Sequence, residues 1–146
     1  MTYSTGGLKI KKALSMTSLN WSGTASTNTY MTFTINDELP SAFITSLTNS
    51  ATEINLPAGH YFAQAYADYS RSSVNDNCQF SWYLNGSQEG HYGAVDFYNS
   101  KSSDVAETSF TLTSAGVLRL RITAQSGSNV TLNNSHCIAL IWRVTS

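Results

Sequence analysis

Charge is what this sequence has least of. Asp, Glu, Lys and Arg make up 12% of its 146 residues, about half the share usual in soluble domains, which is roughly 25%. The net charge is −1, so no overall field draws the chain to nucleic acid or to an acidic membrane. No run approaches the roughly 18 consecutive apolar residues of a spanning helix, and no membrane insertion is expected. The opening residues, MTYSTGGLKIKK, place no apolar stretch behind a basic one, so no secretory signal is expected. The histidines are His60, His91 and His136, and none stands at metal-ligand spacing from another or from a cysteine. There is no G-x-S-x-G elbow, no phosphate-cradling glycine loop, and no pairing of carboxylates that residue order identifies. These absences predict a protein that is not an enzyme and that holds no cofactor and no metal. In the stretch VNDNC, Asn75, Asp76 and Asn77 carry oxygens that suit calcium, but the same letters make an Asx turn, and the turn is the reading adopted.

Cysteines number two, Cys78 and Cys137. A reducing compartment would leave them as buried thiols, whereas an oxidising one would permit a disulfide. Prolines also number two, and no linker, repeat or low-complexity tract divides the chain. At this length one domain with a sizeable core is expected.

What the chain does have is hydroxyl and amide. Ser, Thr and Asn supply roughly a third of it, well above the average usage. Apolar residues, at 41%, are sufficient for a core. Their pattern is strand after strand: Leu8–Thr17, Tyr30–Asn36, Thr52–Leu56, His60–Tyr69, Cys78–Leu84, Glu89–Phe97, Val105–Thr113, Val117–Ala124 and Cys137–Val144. Turn clusters such as NWSGTASTN, QSGSN and TLNNS separate them. Asn85-Gly86, between two strand-like runs, is the clearest hairpin signal. Short strands at regular spacing, with no convincing helix, predict an antiparallel sandwich or barrel.

Two strands have no solvent face. In LPAGHYFAQAYADY, Tyr61, Ala63, Ala65, Ala67 and Tyr69 alternate with His60, Phe62, Gln64, Tyr66 and Asp68. One side is small and apolar, and the other is aromatic with polar gaps. In CIALIWRV, Ile138, Leu140, Trp142 and Val144 alternate with Ala139, Ile141 and Arg143. A strand that is apolar on both faces is covered on both faces. Trp82 and Trp142 take core parity in this reading.

The turn Pro57-Ala58-Gly59-His60-Tyr61 entering one of these strands resembles that of the tumour necrosis factor-like jelly rolls, with the complement-type globular heads as the nearest branch. The order that follows is also similar: a strand ending in LNG, a hairpin return, the pair SFTLTSAGVLRLRI, and a final apolar strand. Ala63 stands where that family usually has Phe, and Val117 where it has an acidic residue. These departures suit a distant branch such as the heads of bacteriophage particles. The resemblance implies an all-β antiparallel jelly-roll β-sandwich of nine to ten strands that assembles as a homotrimer. Alanines permit close sheet approach, so Tyr61, Ala63 and Ala65 are assigned to the core. Phe62, Gln64 and Tyr66, with Ala139 and Ile141, are then assigned to the trimer interface.

The expected function is that of a bacteriophage virion structural protein, a trimeric capsid decoration (cement) protein folded in the host cytoplasm and displayed on the particle exterior. Its partners would be its own copies and a capsid protein. Residues 1–11 are expected to be a flexible attachment arm, with Tyr3, Leu8, Lys9, Ile10 and Lys11 as contacts, and residues 12–146 the jelly roll. Two alternatives stay open: a receptor-binding knob of a fibre or needle, and a lectin-like module for a host-surface glycan. For the glycan, Trp21 in the loop-like LNWSGT is the first candidate contact, followed by Tyr92 and Tyr98.

Overall fold

The computed structural model describes residues 13–25, 28–35, 51–67, 77–96, 104–124, 130–132 and 137–145. The strands are β1 (Ala13–Ala25), β2 (Thr29–Tyr30), β3 (Thr32–Ile35), β4 (Ile54–Leu56), β5 (Gly59–Ala67) and β6 (Asn77–Leu84). They continue as β7 (Ser87–Asp96), β8 (Asp104–Leu112), β9 (Gly116–Ala124), β10 (Val130–Leu132) and β11 (Ile138–Thr145). No helix occurs among the described residues. Hydrogen-bonded neighbours run β10-β1-β11-β5-β8-β7-β6-β9-β2, with β3 on β1 and β4 on β9. Every pairing is antiparallel. The path folds into two layers, β1-β11-β5-β8 and β9-β6-β7, an antiparallel sandwich as the alternating runs predict, with the jelly-roll order that the resemblance implies.

The core is built by setting large rings against small residues. Ala63, Ala65, Ala67, Ala106 and Ala139 are fully buried on the inner face of the first layer. The bulk that fills the space comes from Trp21, Phe33, Phe80 and Trp82, each also fully buried. Trp82 in β6 donates its indole N–H to the Ala106 carbonyl across the sandwich at 3.1 Å, and its ring stacks on Phe33 with centroids 6.1 Å apart. Burial of an indole therefore leaves no orphan donor. Cys137 is buried in the same core.

Two turns follow directly from sequence. Asn85 and Gly86 both have positive φ, 50° and 91°, as a two-residue hairpin of primed type requires. The Asn85 side chain accepts a bond from the Val117 N–H at 2.9 Å, tying the hairpin to β9. The Pro57–Tyr61 turn is a clasp. The Tyr61 hydroxyl donates to the Pro57 carbonyl at 2.7 Å, its ring stacks on Phe110 at 5.4 Å, and Arg143 donates to the Ala58 carbonyl at 2.7 Å. Burial pushes the Tyr61 hydroxyl above its ordinary value of 10.0, with the Arg143 charge pulling the other way. The folded state thus holds this proton more tightly than the unfolded chain. Its contribution to stability is complete below about pH 10 and is lost as pH rises through the folded value. Urea unfolding should show a decline on the alkaline side that is shallower in Tyr61→Phe.

One strand changes layer. Between Phe80↔Gly93 and Trp82↔Glu89 the β6–β7 register shifts, so three residues of β7 face one of β6. At this bulge His91 pairs instead with Glu107 of β8 and joins the two layers. Gly90 makes the crossing possible: its φ is +70°, and a Cβ there would lie 2.1 Å from the Glu107 carbonyl oxygen. Gly90→Ala should cost about 2 kcal/mol or more, from the left-handed backbone and the displaced neighbour together. A urea midpoint equal to that of the parent protein would contradict this.

The strand boundaries differ from expectation at two places. β1 does not end near Thr17 but continues through NWSGTA to Ala25, because Trp21 shares parity with Leu19 and both pack inward. β10, Val130–Leu132, pairs with the end of this extension in a stretch read as turns. Residues 1–12 lie outside the described residues, as do the attachment contacts Tyr3, Leu8, Lys9, Ile10 and Lys11.

Candidate self-association face

The outward side of β5 begins with His60, whose Nδ1 is 2.8 Å from Thr111 Oγ1. It continues with Phe62, Gln64 and Tyr66. Antiparallel pairing places partners on one face, and the register with β11 sets Phe62 beside Trp142, Gln64 beside Leu140 and Tyr66 beside Ile138. On the other flank, Phe62 meets Ser109, Gln64 meets Glu107 and Tyr66 meets Val105 of β8.

The centre of a sheet layer is thus surfaced with apolar groups. Phe62 is 36% exposed, Tyr66 40% and Val105 37%, while Ile138, Leu140, Trp142 and Val144 are half-buried. The Phe62 and Trp142 rings touch at 5.2 Å. Gln64, Tyr66, Val105, Ile138 and Leu140 line a cleft of about 240 Å³. At the β7–β8 end the surface turns polar: Glu89, His91, Glu107 and Ser109 line a second cleft of about 280 Å³, walled by Phe62, and Gln64 donates to Glu107 at 3.4 Å. A contiguous apolar patch with a polar border marks an interaction surface.

Of the residues expected at an interface, Phe62, Gln64 and Tyr66 lie on this face. Ala139 and Ile141 do not. Both are fully buried inside the sandwich, because they are registered with the core residues Ala65 and Ala63. Once β5 turns its alanines inward, pairing forces the same parity on β11. The larger residues of that strand therefore face outward, and Trp142 is a surface ring rather than a core one. Sequence reading missed Ile138, Leu140, Trp142 and Val144 as face residues. The signal was the bulk of that side, but its direction depends on register with a strand far away in sequence.

The glycan candidates fare unequally. Trp21 is fully buried, donates its indole N–H to the Tyr66 carbonyl at 3.1 Å and packs on Phe80 at 5.8 Å, so it cannot meet a sugar. It is strand rather than loop. Tyr92 stands out from the β7 bulge, 53% exposed, and Tyr98 lies outside the described residues.

No protein-family model and no curated protein sequence matches the chain. Solved structures do. Murine APRIL at pH 8.5 is similar with a TM-score of 0.59 and 10% identity, over 90% of this chain and 99% of that one. Eiger TNF from S. frugiperda is similar with a TM-score of 0.56 and 10% identity, over 91% of this chain and 94% of that one. At such low identity the likeness is one of fold. By its strand order and these neighbours, the chain has a jelly-roll fold similar to that of the tumour necrosis factor-like proteins.

Proposed function

We propose that this chain is a structural, non-catalytic protein of a bacteriophage particle, a homotrimeric decoration protein on the capsid exterior. The observation that carries the homotrimer is the apolar face on β5 and β11. A stable specific interface buries at least about 1,000 Å², and a central sheet face is large enough to contribute to one. In a closed threefold ring each copy uses two different patches. The face would supply one, and the polar cleft at its β7–β8 end would border the contact.

The particle role is supported by surface chemistry. A charge-poor surface rich in Ser, Thr and Asn hydrogen-bonds water and repels like copies weakly, which suits dense display on a lattice. Attachment is assigned to residues 1–11, in which Leu8 and Ile10 alternate with Lys9 and Lys11 and suit strand addition to an acidic acceptor.

The experiment compares the full chain with a variant lacking residues 1–11, each added to particles stripped of their own decoration. The two should melt alike and sediment alike, and only the full chain should fill the capsid sites. Equal occupancy would move attachment from the arm to the base of the trimer. Failure of both to bind any capsid surface would overturn the decoration role and leave the receptor-binding knob.

A further inference from the structure

The second layer turns a different surface to solvent. Along β9, Arg119 and Arg121 alternate with the buried Leu118, Leu120 and Ile122. Tyr83 of β6 is registered with Arg119, and Tyr30 of β2 with Arg121. The contacts cross these pairs. The Arg121 guanidinium lies over the Tyr83 ring, 4.4 Å from its centroid, and that of Arg119 over Tyr30 at 5.3 Å. The two rings meet edge to face at 6.3 Å. Tyr30, 36% exposed, is the open corner of the four.

The two arginines differ in one respect. Arg119 has a carboxylate partner, Glu53. Arg121 donates from Nη2 to the Asn28 side-chain oxygen at 2.7 Å, and among the described residues no carboxylate pairs with it. Its Nε–H is sheltered from water and meets no acceptor among the described residues. An aromatic face holds a cation in place without neutralising it. Arg121 is therefore a fixed, half-buried guanidinium whose charge no carboxylate among the described residues offsets, which makes it a pre-organised receptor for a carboxylate. Beside the Arg119–Glu53 pair, the cluster offers neutral polar groups: the tyrosine hydroxyls, Asn28, and Gln88, which lies 3.5 Å from the Tyr83 hydroxyl.

We propose that Tyr30, Tyr83, Arg121 and Asn28 form a binding site for a carboxylate-bearing sugar, such as the acidic terminal residue of a surface glycan. The carboxylate meets Arg121. The sugar hydroxyls meet the amide and phenol groups, and the weakly positive C–H face of the ring lies against Tyr30. An acidic peptide offers the same charge but lacks the hydroxyl-bearing ring that matches the remaining groups. The site lies on the layer opposite the β5–β11 face and does not rest on self-association. In a trimer it would be presented three times, which multiplies a weak single-site affinity.

The test is a titration of the isotope-labelled full chain, followed by NMR, with N-acetylneuraminic acid and glucuronic acid, each against its methyl ester. The acids should shift the backbone signals of Tyr30, Tyr83 and Arg121. The esters, and the acids added to Arg121→Gln, should bind about tenfold more weakly, as the loss of one charge-assisted contact predicts. Tyr30→Ala should weaken the acids while leaving their preference over the esters. Melting curves establish that the variants are folded, and the acid–ester comparison on the unaltered chain stands even if Arg121→Gln does not fold. Equal binding of acid and ester, shifts confined to another surface, or no response to either acid would overturn the assignment. So would saturable binding of an acidic peptide at these residues without binding of the sugars.

Discussion

Trp82→Ala is expected to lower the melting temperature by about 10–15 °C, which corresponds to roughly 3–5 kcal/mol for a chain of this length. The side chain is fully buried, and its removal opens a cavity between the layers that backbone alone cannot close. It also takes away the parallel ring contact with Phe33 and leaves the Ala106 carbonyl without its indole donor. A buried acceptor so orphaned adds to the loss. Since domains are stable by only about 5–15 kcal/mol, a sizeable unfolded fraction should accompany the variant. Calorimetry and urea unfolding give the number, and a shift of only a degree or two would show that the two layers do not close over Trp82.

Leu140→Lys should abolish self-association while leaving the single chain folded. Leu140 sits at the middle of the outer face, beside Gln64, and Gln64 is in turn beside Glu107. In one chain a lysine stem can cover the same neighbours while its ammonium reaches water near that carboxylate. In a trimer the charge would be closed into an apolar contact, at a cost of several kcal/mol per copy. An affinity at least about a hundredfold weaker is expected, read as a loss of concentration dependence in the melting temperature. In this background Trp142→Ala should cost only about 1 kcal/mol, the worth of its ring contact with Phe62. A loss as large as that of Trp82→Ala would place Trp142 inside the sandwich and reverse the parity of β11.

The contrast between these two tryptophans shows what sequence made legible. Alternation separates the two faces of β5, and residue size then places Ala63 and Ala65 inward, because alanines permit close sheet approach. The Asn85-Gly86 hairpin was equally plain, since few dipeptides tolerate two left-handed residues in succession. The direction of β11 was not plain. Its faces are Ala-Ile-Arg and Ile-Leu-Trp-Val, both compatible with a core, and only pairing with β5 decides between them. Trp21 was hidden for a related reason: Ser, Thr and Asn read as turn residues, yet a paired strand tolerates them between inward side chains such as Leu19 and Trp21. The Tyr30–Arg121 cluster was beyond reach, because it joins residues separated by about ninety positions through diagonal contacts that no local pattern encodes.

The proposed homotrimer requires that the β5–β11 face bind copies of this chain. Sedimentation equilibrium of the full chain over a range of micromolar concentrations tests it most directly. A single species of three times the 15.9 kDa chain mass is expected, reduced to one chain mass by Leu140→Lys. A folded species of one chain mass at every concentration, or a trimer that Leu140→Lys leaves intact, would contradict it.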